Sequence, residues 1–65
     1  MPVVTVQMLA GRSLDQKRQL AAAITDAMVD FAGASRERVN VIIAEVEPDN
    51  WAWDGRLVSE REAAV

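Results

Sequence analysis

Residues 39–46 read VNVIIAEV, a run interrupted only by Asn40 and Glu45. Apolar side chains at successive positions point to both faces of a strand, so the run predicts a strand covered on both sides, as parallel strands usually are. Working back from it, Gly33 follows Ala32 at the place where a left-handed C′ residue ends a helix. Ser13-Leu-Asp-Gln16 is an S-x-x-Q capping box with Ser13 as N-cap, and Asp15 in the first turn suits the helix dipole. Between these stops, Leu20, Ile24, Ala27, Met28 and Phe31 recur at helical spacing as one apolar stripe, which predicts a helix over 14–32. Residues 3–9, VVTVQML, alternate Val4, Val6 and Met8 with Val3, Thr5 and Gln7, a strand with one drier face that Gly11 ends.

Strand, helix and strand make an α/β (α+β) chain: a single β-α-β unit with parallel strands, its crossover right-handed, filling one domain, 1–65. After Glu47, the segment PDNWAWDGR is rich in turn formers, and Asp54-Gly55 between Trp53 and Arg56 predicts a short C-terminal hairpin. Ser59 to Val65 suggests a further turn of helix behind an S-x-x-E cap.

A chain of 65 residues buries only about 60% of its unfolded surface. With no cysteine there is no disulfide to staple it, yet 51% of its residues are hydrophobic. A two-stranded sheet under one helix also leaves a face and both edges open. Copies of the chain are the expected cover, so a homo-oligomer is predicted. The net charge of −3 excludes the clustered basic surface that nucleic acid and anionic membranes recruit. No apolar run approaches the roughly 18 residues of a membrane span. The start MPVVTVQMLAGR lacks a basic region and cleavage site, so a cytoplasmic protein is expected. Without histidine or cysteine, a His/Cys zinc site and a histidine base are both excluded.

Pro2 is the first candidate for chemistry. It is either the plain first residue of an edge strand or, once Met1 is removed, a secondary amine at the chain terminus. An α-amino group titrates near about 8, and apolar walls such as Val3, Val41, Ile43 and the tryptophans would lower that toward the value a general base needs at neutral pH. Arg12 follows the first strand. As a solvated loop charge it means little, but its planar guanidinium also suits a bidentate carboxylate. Arg12 and Pro2 belong to opposite ends of one strand, so a shared pocket requires Arg12 from another chain. Trp51 and Trp53 fit a subunit interface or a pocket wall. Glu45, Glu47, Asp49 and Asp54 match no metal loop and read as a solvated acidic rim.

Taken together, M-P-x-V-x-V-x-M-L-x-G-R-S, D-Q-K-R-x-L, V-x-V-I-I-x-E-V and the aromatic of P-x-N-W resemble the 4-oxalocrotonate tautomerase family over nearly the whole chain. The resemblance implies the tautomerase/MIF-like fold, with subunits pairing into a four-stranded sheet with two helices and three such dimers forming a hexamer. It implies an isomerase in which Pro2 moves a proton between the oxygen and carbon ends of an enol or unsaturated 2-oxo acid, with no cofactor and no metal. By the same resemblance, a small-molecule carboxylate is held by Arg12 of a neighbouring subunit, and Trp51 stands where the family has a pocket aromatic. The family's second arginine falls on Asn40, which donates hydrogen bonds without a charge. Arg36 and Arg38 are the candidates to replace it, Arg36 first because it shares strand parity with Asn40. A monocarboxylate enol such as phenylenolpyruvate is therefore expected ahead of the dicarboxylate 2-hydroxymuconate.

Two alternatives stand beside this one. Relatives on the same scaffold add water to halogenated or acetylenic acids with a protonated proline and a carboxylate, for which Asp54 is the nearby acid, although the arginine pair of those relatives is missing. A non-catalytic oligomeric module would be favoured by retention of Met1, whose bond makes the proline nitrogen a neutral amide.

Overall fold

The computed structural model describes residues 2–61, and its elements follow the order expected from the sequence. Strand β1 spans Val3–Leu9, helix α1 Leu14–Ala32 and strand β2 Asn40–Val46, one residue later than the apolar run begins. Val39 is held instead by the single 3-10 turn Arg36–Arg38, its amide reaching the Arg36 carbonyl at 3.3 Å. β1 and β2 are parallel, in a register that runs from Val3 opposite Asn40 to Leu9 opposite Val46. The helix therefore starts over the C-terminal ends of the strands and returns to their N-terminal ends.

Both helix signals are realised. Ser13 Oγ accepts from the Gln16 amide at 3.1 Å, and Gln16 Oε1 accepts from the Ser13 amide at 2.9 Å. Gly33 takes φ 66°, a left-handed conformation that a side chain would strain. Replacing Ser13 by alanine leaves the Gln16 amide without its cap. It is expected to lower stability by about 1 kcal/mol in urea unfolding at fixed protein concentration.

Helix packing departs from the expected stripe. The half-buried helix positions are Lys17, Leu20, Ala21, Ile24, Thr25, Met28 and Val29, spaced as one helical face. Ala27 is exposed, and Phe31 is 90% exposed. The face applied to the sheet is rotated from the one that the large apolar residues alone mark, because Lys17, Ala21 and Thr25 belong to it. On β1, Val4, Val6 and Met8 are half-buried while Val3, Thr5 and Gln7 are exposed, as the alternation predicts. On β2 the same face carries Val41, Ile43 and, opposite Met8, Glu45.

The hairpin forms as Ala52–Trp53 (β3) against Arg56–Leu57 (β4). Asp54 and Gly55 both take positive φ, 53° and 71°, the geometry of a tight two-residue connection. A 3-10 turn, Pro48–Asn50, leads into it and another, Val58–Glu60, follows. Ser59 lies inside that last turn rather than ahead of a helix, and the rest of the predicted tail, 62–65, lies outside the described residues.

Among the described residues only Val58 is fully buried, at 1% exposure, beneath the Trp51 carbonyl that accepts its amide at 2.7 Å. On the sheet face turned away from the helix, Val3 and Ile42 stay 56% and 52% exposed. The second cover expected for the apolar run at 39–46 is therefore not supplied by this chain to itself. No described helix is long and apolar enough to cross a membrane.

Candidate active site

The parallel register gathers one group of site residues at the N-terminal ends of the strands. The Asn40 amide donates to the Pro2 carbonyl at 2.9 Å, extending the ladder by one bond beyond Val3 and fixing Pro2, half-buried, beside Asn40. The Asn40 side chain turns back on its own loop, Nδ2 donating to the Arg38 carbonyl at 3.1 Å. An amide nitrogen carries two hydrogens, so this bond orients the side chain and leaves one donor over.

Arg36 and Arg38 lie in a 3-10 turn, not in an extension of β2. Strand parity, the reason for ranking Arg36 first, does not apply there. Arg36 Nη1 is drawn to Asp26 Oδ1 on the helix at 2.6 Å, an exposed pair. Arg38 has no ion pair among the described residues.

The second group lies at the other end. Arg12 lines a cleft of about 250 Å³ with Met8, Gln16, Lys17 and Leu20. Seven residues of β1 at about 3.3 Å each put roughly 23 Å between this end and Pro2, more than one arginine side chain spans. Trp51 follows the C-terminal end of β2 and is half-buried. Trp53 differs from it: 47% exposed, it carries the Arg61 guanidinium 4.2 Å above its ring, and its carbonyl accepts from Arg61 Nη2 at 2.7 Å. Asp54 sits exposed at the hairpin tip.

The sequence reading missed one feature of the cleft. Lys17 Nζ donates to Glu45 Oε1 at 2.6 Å across the helix–sheet junction. That hydrogen bond holds the Glu45 carboxyl below the usual carboxylate range against the opposing effect of desolvation, and the Lys17 charge and the Gly11 amide add to it. Two signals were present: Lys17 stands three residues before Leu20 on the helix stripe, and Glu45 shares strand parity with Val41 and Ile43. Glu47, Asp49 and Asp54, the other acids of that rim, form no ion pair among the described residues.

A family model described as tautomerase enzyme matches residues 2–61. The 2-hydroxymuconate tautomerase of Bacillus subtilis (strain 168) is 44% identical over 62 residues, 95% of this chain and 100% of the relative. Among solved structures, YwhB, a homologue of 4-oxalocrotonate tautomerase, superposes with a TM-score of 0.91 at 43% identity, covering 94% of this chain and 100% of its own. The heterohexamer 4-oxalocrotonate tautomerase from Chloroflexus aurantiacus J-10-fl does so with a TM-score of 0.86 at 35% identity, over 92% and 97%.

Proposed function

For a chain that belongs to the tautomerase family and is a 4-oxalocrotonate tautomerase-like enzyme, we propose that Pro2, freed by loss of Met1, is the base that isomerises an enol acid. The neutral amine takes the proton from the enol oxygen as the carbonyl forms. It then delivers that proton to the carbon at the far end of the former double bond. Arg12 of a neighbouring subunit holds the substrate carboxylate as a bidentate pair, Trp51 walls the pocket, and the remaining Asn40 donor meets the charge that develops on oxygen.

The observation that carries this reading is the strand polarity. One end of the parallel pair bonds Pro2 to Asn40, and the other places Arg12 in a cleft. Each protomer thus owns two half-sites, and only a second copy completes either. The uncovered Val3 and Ile42 supply the apolar surface such an assembly needs, and a hexamer built as a trimer of dimers is the form proposed. Arg38 takes precedence over Arg36 as the substitute second cation, because Asp26 competes for Arg36 and Arg38 has no such partner among the described residues.

Asn40 decides the substrate. A hydrogen bond to a charged group contributes about 1–3 kcal/mol, so exchanging arginine for a neutral amide costs a second carboxylate roughly tenfold to hundredfold. The purified enzyme is expected to ketonise phenylenolpyruvate with a kcat/KM at least about tenfold above that for 2-hydroxymuconate. Asn40→Arg should narrow that ratio. The name of the Bacillus subtilis relative points to the dicarboxylate, so equal or faster turnover of 2-hydroxymuconate by the unaltered chain would discard the monocarboxylate preference.

A further inference from the structure

Gly11 and Arg12 lie between two anchored points. Behind them, the ladder continues past β1, the Ala10 amide donating to the Val46 carbonyl at 2.9 Å. Gly11 then turns with φ 129°. Ahead of them, Ser13 and Gln16 cap each other through two hydrogen bonds. Glu45, near the end of β2, holds Lys17 at 2.6 Å, so one carboxylate ties the first turn of α1, just past this loop, to the sheet. Lys17 and Arg12 line the same cleft. Glu45 spends its charge on Lys17, and the Arg12 guanidinium has no carboxylate partner among the described residues.

From this arrangement we infer that Glu45, through its pair with Lys17, is a positioning residue for substrate carboxylate binding. It fixes the loop so that Arg12 presents its fork to the cleft, and it neutralises Lys17 so that the lysine does not compete for the same carboxylate. The inference rests on the reading of Arg12 as the carboxylate ligand. Ion pairs this exposed contribute little to stability, so a purely structural pair would be nearly silent in kinetics.

The test removes the pair without changing net charge, as Lys17→Met/Glu45→Gln in the full chain, assayed for phenylenolpyruvate ketonisation. KM is expected to rise about tenfold, well inside what a 1 Å misplacement of a binding group costs, with kcat within about twofold. In an Arg12→Ala background the same pair of changes should add nothing further, because the effect passes through Arg12. Wild-type KM in the double variant, or an undiminished further loss in the Arg12→Ala background, overturns the inference. So does a double variant that no longer assembles, which would make the pair a structural support. If Arg12→Ala alone leaves KM unchanged, the underlying assignment of Arg12 fails instead, and the two failures are separated by that one variant.

Discussion

Replacing Pro2 by alanine, in chains whose intact mass shows Met1 removed, is expected to lower kcat for enol ketonisation about a hundredfold with KM changed by less than about threefold. The alanine terminus still carries an amine, so the loss falls at the low end of what a positioned base contributes. What goes is the pyrrolidine ring, which ties the nitrogen to its own side chain and so aims the lone pair, while the primary amine of alanine rotates freely about its N–Cα bond. Chains that keep Met1, separated by mass, should lose activity by the full range of about 10²- to 10⁴-fold, because their proline nitrogen is an amide with no basic lone pair. KM should stay nearly constant, since in the proposed site the carboxylate is held by Arg12 at the other half-site. In the unaltered enzyme kcat/KM should rise with pH as the amine loses its proton; a fall would indicate the water-adding mode, in which a protonated proline is the acid. Alanine or Met1-bearing chains that match the processed protein would remove Pro2 from the reaction.

The parts of this fold that were legible in the sequence are those whose causes are local. The capping box at Ser13, the left-handed Gly33 and the Asp54-Gly55 turn each depend on residues within a few positions of one another, and each forms as read. The strand alternation of 3–9 likewise depends on one chain segment and one covered face. What escaped the reading depends on contacts between distant segments. Glu45 and Lys17 lie 28 residues apart, and their ion pair exists only because the register sets Glu45 opposite Met8, beneath the helix start. Phe31 looked like a core residue because it is large, apolar and correctly spaced, yet the helix applies a neighbouring face to the sheet.

The site was legible in a different way. Pro2 and Arg12 stood out chemically, but no local rule says that they face one pocket; strand polarity says that within one chain they do not. Arg36 shows the reverse case. It seemed available from its sequence neighbourhood, and the fold commits it to Asp26, ten residues back on the helix. An exposed pair of this kind is worth roughly 1 kcal/mol or less, so it biases Arg36 away from the site without locking it. Arg38, two residues on, is left as the cation nearer Asn40, whose side chain it already holds through its carbonyl.

Mixing two impaired subunits is expected to restore activity if, as proposed, the site is divided between chains. Arg12→Ala should by itself lose about tenfold to hundredfold in kcat/KM, the worth of a charge-assisted bond to the substrate carboxylate. Pro2→Ala loses its share in kcat. When the two variants are unfolded together and reassembled at equal concentration, each site draws its Pro2 and its Arg12 independently from neighbouring subunits. About a quarter of the sites then receive both native residues, and a matching number receive neither. Activity per chain should approach a quarter of the wild-type value, far above the mean of the two variants assayed apart. Had both residues come from one chain, every site would carry one defect and mixing would leave that mean unchanged. The measurement needs no knowledge of the physiological substrate, because it compares the same assay before and after reassembly. Size-exclusion chromatography of the mixture confirms that the oligomer has re-formed, so a flat result from intact assemblies counts against the shared site itself.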